Sequence, residues 1–414
     1  MKEDIISHQN DPEKLERLYR ENKAQFKKEF NIVYSQLSET NTARFWNARL
    51  NYENNAVYRA TVSDWGFIII ASLLAGILAK FPAFFSIDEE FFYPRNIGFI
   101  VFPALTAYFA WKNKLSAGKI IIITSITLVG LIYINLLPDV RGSDVLILAC
   151  IHLLLGLWSI LGFAFVGDKD RTGEKRLAFL KYNGDLLVIS ALILISGGIL
   201  TGITIGLFTL IGINIEQFWF EYVVIFGLPA VPIVGTYLIR TNPQLVGKVS
   251  PVIARIFSPL VLVMLVVYLV AMIYSGKDPY NDREFLLIFN ALLVGVMALI
   301  FFSVAETSGE TKNKAELWVL LLLSGVTIIV NGIALSAILF RISEWGITPN
   351  RLAVLGANVL ILINLLIVTT QLFRVLFKKA ETHRIGTAIA FYLPVYFIWA
   401  AIVTFLFPLI FGIE

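Results

Sequence analysis

Two arginines flank a short connection between two hydrophobic segments, in the stretch FRISEWGITPNR, residues 340–351. Short external loops of membrane proteins are poor in arginine, whereas guanidinium groups and helix N-termini both bind anions. We therefore hypothesise a shallow anion site made by Arg341, Arg351 and the start of the next helix, with Glu344 orienting one arginine. The alternative is an internal Arg–Glu pair that stiffens the turn, with the arginines reaching to lipid phosphates.

The same connection carries the signals of a tight turn followed by a new helix. Gly346 permits a sharp reversal of the chain. Thr348 is suited to cap the next helix, and Pro349 to occupy its first position. These residues explain the turn without any ligand.

Side-chain amides lie inside the hydrophobic segments on both sides of this turn. Asn331 shares a helical face with Ser324 and Thr327, and Asn358 and Asn364 follow in the next segment. Buried amides seek partners and join neighbouring helices. We expect them either to hold the helices together, with Asn290 from the preceding segment, or to line a polar path towards the arginines.

Few other residues could carry chemistry. The composition includes one cysteine and three histidines, which is too few for the several converging ligands of a metal or haem site, so we predict no metal and no cofactor. His152 is expected to be a neutral histidine bonded to a carbonyl. Glu306 is expected at the end of its segment. A proton- or sodium-driven carrier usually has a carboxylate in the middle of a span, and the absence of one counts against such a carrier.

An enzyme acting on a lipid-linked substrate is a third possibility. Acidic residues in an external loop would support it, and residues 84–90, FFSIDEE, contain three. The loop is only about ten residues long, so a solvated acidic loop is the simpler interpretation. The sequence has no arrangement of serine, cysteine and histidine that is typical of a nucleophile and its base.

A glycine ridge occurs in another hydrophobic segment. Gly198, Gly202 and Gly206 are spaced four residues apart, which allows close helix packing. We expect the ridge to pack within the chain; the alternative is the seam of a homodimer.

The segments that carry these residues are too apolar for a soluble domain. Hydrophobic residues make up 57% of the chain, charged residues only 15%, and the mean hydropathy is +0.76. Lipid must therefore be the solvent for much of the surface. We predict an all-α polytopic membrane bundle, because a spanning helix needs about 20 apolar residues. About eleven spans are expected, at 64–85, 97–111, 119–137, 145–166, 186–212, 219–239, 257–275, 285–304, 316–340, 352–373 and 386–411.

Lysine and arginine predict the orientation. With the N-terminus in the cytosol, the internal loops hold seventeen of these residues and the external loops seven, as the positive-inside rule requires. The net charge of +4 forms no basic stripe, so nucleic acid is not an expected partner.

The first sixty residues are predicted to be a cytosolic amphipathic helical segment, and residues 61–414 the transmembrane domain. Asp11 is a suitable N-cap with Pro12 after it. Leu15, Leu18, Phe26, Phe30, Val33 and Leu37 recur at helical spacing, and Phe45, Trp46 and Leu50 mark a second helix. The segment either packs on itself or the membrane face, or docks a protein partner through residues 11–55.

The stretch Arg-Ile-Ser-Glu-Trp-Gly-Ile-Thr-Pro-Asn-Arg resembles the "YGLTPNR"-type signature of a bacterial membrane family, the domain of unknown function number forty-one fifty-three. Trp345 stands where that family usually has tyrosine, and Ile347 where it has leucine. The resemblance implies a multi-pass protein of the bacterial cytoplasmic membrane. It supplies no reaction, substrate or cofactor.

Two functions remain open at this point. One is a permease-like protein that handles an anionic or amphiphilic small molecule, with a water-accessible cavity lined by Asn331, Asn364 and Arg351. The other is an envelope scaffold or sensor subunit with dry, fully packed spans, which binds a partner through its N-terminal helices. The lipid bilayer is a partner in both.

Overall fold

The structure, a computed structural model, consists of helices joined by short connections. It describes residues 2–9, 11–37, 40–51, 62–167, 172–210, 213–275, 280, 283–306, 314–377 and 383–413, and no strand occurs among them. The chain divides into two compact units, Met1–Arg59 and Ala60–Glu414.

The N-terminal unit contains four helices. They are α1 (Lys2–Ser7), α2 (Pro12–Glu21), α3 (Lys23–Leu37) and α4 (Asn41–Asn51). The predicted cap of α2 is confirmed: the Asp11 carboxylate accepts a hydrogen bond from the Lys14 backbone N–H at 3.1 Å, and Pro12 follows at the first helical position.

An aromatic cluster forms the core of this unit. The Trp46 ring lies 5.1 Å from Phe26 and 5.5 Å from Tyr19, centroid to centroid. The Arg49 guanidinium covers Trp46 at 4.7 Å and pairs with Glu16 at 2.9 Å. The apolar residues of α2 and α3 pack against one another, as their helical spacing predicted.

The larger unit begins with a helical hairpin and continues through long helices. The first six are α5 (Val62–Ala79), α6 (Phe81–Phe85), α7 (Glu89–Lys112), α8 (Ala117–Leu136), α9 (Asp144–Val166) and α10 (Thr172–Leu210). The remainder are α11 (Glu216–Phe218), a π-helical stretch (Trp219–Val224), α12 (Ile225–Thr241), α13 (Pro243–Ser275), α14 (Arg283–Glu306), α15 (Lys314–Trp345), α16 (Pro349–Leu376), α17 (His383–Ala401), a second π-helical stretch (Ile402–Leu406) and α18 (Phe407–Phe411).

Nine helices in the described part of the chain are long and apolar enough to cross a membrane. These spans expose large aliphatic side chains, such as Ile121, Leu200 and Leu260, on their outer surfaces. In water such a surface would drive aggregation, so the larger unit is a multi-pass membrane bundle whose outer surface faces lipid.

Helix α10 joins two apolar cores. Its residues Phe179 and Tyr182 belong to the core built by α5, α7, α8, α9 and α12. Leu177 and Leu180 belong to the second core, built by α13 to α17. The first half of α10 is thus buried between two groups of helices, whereas the second half is mostly exposed.

Glycine permits two close helix contacts in this bundle. A Cβ atom on Gly184 of α10 would overlap the Phe302 ring of α14, and one on Gly356 of α16 would overlap the Trp399 ring of α17. Any larger residue would push these helix pairs apart.

Truncating Trp46 should destabilise the N-terminal unit selectively. Trp46 is 2% exposed, so Trp46→Ala should cost about 3–5 kcal/mol of local stability through lost packing and the cavity left behind. Hydrogen exchange of the α3 and α4 amides in the full chain measures the loss. The control is Phe45→Ala: its side chain is 61% exposed, and the change should stay within about 0.5 kcal/mol. Equal effects of the two changes would contradict the assigned core.

Candidate functional site

The turn between α15 and α16 is built as predicted. Gly346 has a φ of +76°, in the left-handed region that favours glycine. The Thr348 hydroxyl accepts a hydrogen bond from the Arg351 backbone N–H at 3.3 Å, and Pro349 takes the first helical position. The predicted cap and reversal are confirmed.

The two arginines bind backbone carbonyls near the indole of Trp345. Arg351 Nη1 donates to the carbonyl oxygens of Trp345 and Gly346, at 2.8 and 2.7 Å, and so caps the C-terminus of α15. Arg341 Nε donates to the Tyr280 carbonyl oxygen at 2.7 Å. Both guanidinium groups also lie over the Trp345 ring, at 5.7 and 5.6 Å from its centroid.

Glu344 does not take the role expected of it. Its side chain is exposed, and among the residues that the structure describes no ion pair joins it to either arginine. Arg351 caps the end of α15 and Arg341 holds the Tyr280 carbonyl, and these contacts favour the structural interpretation over an anion site.

The predicted amides connect four helices. Asn331 Nδ2 of α15 donates to the Asn358 carbonyl oxygen of α16 at 3.2 Å, and Asn358 Nδ2 donates to Asn290 Oδ1 of α14 at 2.8 Å. Asn364 Nδ2 of α16 donates to the Tyr396 hydroxyl of α17 at 3.0 Å, which in turn contacts Met297 Sδ at 3.3 Å. Ser324, Thr327 and Asn331 are all buried on one face, as predicted.

These amides are buried in protein, away from the cavities described below. Asn331 and Asn364 are fully buried, and Asn358 nearly so. Asn331 and Asn364 each bond to a neighbouring helix through Nδ2, whereas their buried Oδ1 atoms have no hydrogen-bond partner among the described residues. The amides therefore hold α14 to α17 together.

The glycine ridge of α10 does not pack as expected. Gly198, Gly202 and Gly206 are exposed, and a Cβ atom added to any of them would meet nothing within 4 Å. The expectation that the ridge packs within the chain is wrong for the part that the structure describes. Its outward face remains open to lipid or to a partner.

A large cavity lies between α7 and α8, and we call it the α7–α8 cavity. Its volume is about 630 Å³. The lining on α7 runs from Phe91 to Ala110, twenty residues or about 28 Å of helix, which matches the roughly 30 Å hydrocarbon core of a bilayer. Aromatic and aliphatic side chains dominate the wall, among them Phe92, Phe99, Ile123 and Leu131.

Polar groups gather at one end of this cavity. Asn96 and Asn135 exchange a reciprocal pair of hydrogen bonds, each 2.9 Å, on its wall. Next to Asn96 on α7, the buried Arg95 pairs with Asp139 at 3.1 Å and stacks on Phe91, whose ring lies 4.0 Å away. Arg95 Nε is buried and has no hydrogen-bond partner among the described residues.

A charged cluster lies where α10 meets α14, and we call Asp185 with Glu306 the carboxylate pair. Lys181 Nζ lies 3.2 Å from Glu306 Oε2, and the Asp185 carboxyl is within hydrogen-bonding reach of Glu306. Both acids are buried. Carboxylates buried inside a membrane bundle are candidates for function.

A smaller cavity of about 140 Å³ adjoins Glu306. The hydroxyls of Ser258 and Ser303 lie 3.0 Å apart on its wall. Arg255 of α13 and Glu316 of α15, also on the wall, form an ion pair at 2.9 Å. The cavity thus links the carboxylate pair to partly exposed charged residues.

The sequence interpretation missed the carboxylate pair. Asp185 lies one residue before the predicted fifth span, so it was not considered as a partner for Glu306, which is the last residue of α14. The signal was its spacing from Lys181, four residues along one helix face. A third buried acid, Asp64 of α5, pairs with Lys112 of α7.

Two smaller expectations can be compared with the structure. His152 Nδ1 lies 2.9 Å from the Leu148 carbonyl oxygen, as predicted. In the acidic loop, the Asp88 carboxylate caps α7 through the Glu90 N–H at 3.0 Å and also pairs with Arg141 at 3.1 Å. These contacts favour a structural role for Asp88 over catalysis.

Removing the Arg351 side chain should lower stability. Arg351→Ala deletes two charge-assisted hydrogen bonds to the end of α15, and we expect a loss of roughly 1–2 kcal/mol in the free energy of unfolding. Thermal unfolding in detergent, followed by tryptophan fluorescence, measures it. Glu344→Gln is the matched control and should change stability by less than about 0.5 kcal/mol. A stable Arg351→Ala protein that loses a bound anion would reinstate the anion site.

In comparisons with known proteins, no family model, no curated protein and no solved structure matches this chain. The resemblance of residues 341–351 to the bacterial family therefore stays a prediction. The function has to be inferred from the chain's own geometry: an apolar cavity with amides at one end, and a buried carboxylate pair.

Proposed function

We propose that this chain is a permease-like protein of the bacterial cytoplasmic membrane that binds and moves an amphiphilic small molecule through the α7–α8 cavity. The observation that carries the proposal is the cavity itself. Its volume of about 630 Å³ falls within the roughly 300–1,000 Å³ of small-molecule sites. The proposed site therefore differs from the α15–α16 turn that the sequence favoured.

The cavity wall favours a molecule with a long apolar part. Side chains such as Phe99, Ile100 and Leu128 line most of its length, and burying an alkyl chain against them is favourable by about 0.8 kcal/mol per CH₂ group. A purely polar solute would lose its hydration there with few partners in return.

The polar end fits a headgroup. Each amide uses both of its Nδ2 hydrogens, one for the partner's Oδ1 and one for a carbonyl oxygen of its own helix, so each Oδ1 keeps a lone pair that can accept. The unpartnered Nε of Arg95 adds a charged donor one residue away. A single-chain or isoprenoid amphiphile whose headgroup carries both a hydroxyl donor and an acceptor satisfies both ends of the cavity.

We propose eleven spans, with the N-terminus in the cytosol and the C-terminus outside. The two additions to the nine apolar helices are α5 and α7. Helix α5 packs along α12, and α7 packs along α9, so both run beside helices that are long and apolar enough to span. The excess of lysine and arginine in the internal loops supports the orientation, and it puts the Asn96–Asn135 end of the cavity towards the outside.

The alternative proposal is an envelope scaffold or sensor that docks a partner through residues 11–55. One observation favours it: Ile32 of α3 and Phe45 of α4 are exposed on the N-terminal unit. The enzyme proposal ranks third, because Asp88 already caps a helix and pairs with Arg141.

Filling the α7–α8 cavity should weaken amphiphile binding. Thr127 lines the cavity, and Thr127→Trp places an indole where the alkyl chain would lie, so we expect the co-purifying amphiphile to fall about tenfold, or about 1.4 kcal/mol. Lipid mass spectrometry of the purified protein measures it. Ala107→Trp on the opposite helix is a second variant that tests the same space.

Val129→Trp is the matched control. Val129 lies on the same helix, 59% exposed and outside the cavity lining, so this variant should retain the amphiphile. Retention in all three variants would overturn the proposed function.

We also propose that the exposed glycine ridge of α10 is a homodimer seam. Gly202→Leu should raise the dimer dissociation constant about tenfold in lipid, which corresponds to about 1.4 kcal/mol. Single-molecule photobleaching of labelled protein in vesicles measures the dimer fraction. Gly197→Leu, on a different face of α10, is the control. A monomer at every protein-to-lipid ratio would contradict the seam.

A further inference from the structure

The carboxylate pair is held on two helices that approach closely. Lys181 and Asp185 are four residues apart on α10 and share one face. On α14, Phe302 and Glu306 are also four residues apart. Gly184 has no side chain where the Phe302 ring crosses α10, and this contact brings Asp185 within reach of Glu306.

The Glu306 carboxylate is buried against Asp185. Its side chain is 0% exposed, and Lys181 Nζ lies 3.2 Å from Oε2. The Asp185 carboxyl lies within hydrogen-bonding reach of the same Glu306 carboxylate. Two carboxylates at hydrogen-bonding distance cannot both stay ionised in a poorly solvated site, so one hydrogen ion is needed between them.

The neighbouring cavity provides a route for that proton. It reaches from Glu306 past the Ser258 and Ser303 hydroxyls to the Arg255–Glu316 pair. Its volume of about 140 Å³ exceeds what a water molecule needs. Hydroxyls and water together can pass a proton to a carboxylate.

We infer that Asp185 and Glu306 share one exchangeable proton, with Lys181 as their counter-charge, and that the cavity at Glu306 connects this proton site to the aqueous phase. The proton is taken from water in the cavity onto a carboxylate oxygen, and it returns by the same route. This inference does not depend on the amphiphile cavity. If the permease proposal also holds, the site is where proton movement would couple to transport.

In the described part of the chain, the charged groups near the carboxylate pair come from three helices. Helix α10 contributes Lys181 beside Asp185, α13 contributes Arg255 and α15 contributes Glu316. Helices α16 and α17 contribute apolar side chains to the core that α14 shares with them. The Arg255–Glu316 pair is neutral in sum.

Carbodiimide labelling tests the inference, because dicyclohexylcarbodiimide reacts with protonated carboxyl groups in apolar surroundings. The full-length protein in lipid vesicles is labelled across a pH series, and mass spectrometry locates the adduct. We expect an adduct on Glu306 or Asp185 that falls about tenfold per pH unit above the midpoint. In parallel, infrared spectroscopy should show the C=O stretch of a carboxylic acid that disappears over the same pH range.

Variants make the assignment specific. Glu306→Gln and Asp185→Asn should each remove the infrared band of the shared proton. Glu221→Gln is the control: Glu221 pairs with the buried Lys80 at 3.6 Å without a second carboxylate in that pair, and the band should persist. No labelling at any pH, or a band unchanged in both variants, would overturn the inference. If sodium ions at constant pH protect the carboxyl groups from labelling, the site binds a metal cation instead of a proton, and the inference is overturned.

Discussion

A polar group inside hydrocarbon must find its partner within the protein, and this requirement shapes the whole bundle. Helices α14 to α17 meet it through side-chain amides: Asn331 reaches a carbonyl of α16, Asn358 reaches Asn290, and Asn364 reaches Tyr396. Because each amide donates to a neighbouring helix, these bonds tie the four helices to one another. The arginines at the α15–α16 turn extend the same pattern by binding carbonyls.

The first group of helices meets the same requirement differently. Helices α7 and α8 are joined by the Asn96–Asn135 pair at one end, and a large apolar cavity lies between them. Helix α10 packs its first half into both groups. A ligand in the α7–α8 cavity and a proton at the carboxylate pair would therefore act on elements that share one central helix. That arrangement suits coupling between ligand binding and proton binding, since a shift of α10 would change the packing of both groups of helices.

Local signals in the sequence predicted local structure well. Asp11 and Thr348 cap helices because their side-chain oxygens accept a free N–H of the first turn, and the proline that follows suits the first helical position. Trp46 is buried because helical spacing places it on the apolar face of α4. Predictions that needed tertiary packing fared worse. The glycine ridge has no described helix against it, and Asp185 was overlooked because its neighbour on α14 is more than a hundred residues away in sequence. The α7–α8 cavity was invisible for the same reason: its walls are ordinary apolar residues, and only the separation of two helices makes it a site.

The most direct test is a cryo-EM structure of the protein in lipid nanodiscs, at a resolution that shows ordered ligands. We predict elongated density along the α7–α8 cavity, with its wider end beside Asn96 and Asn135. A collapsed cavity, with α8 packed directly against α7 and no density between them, would contradict the account.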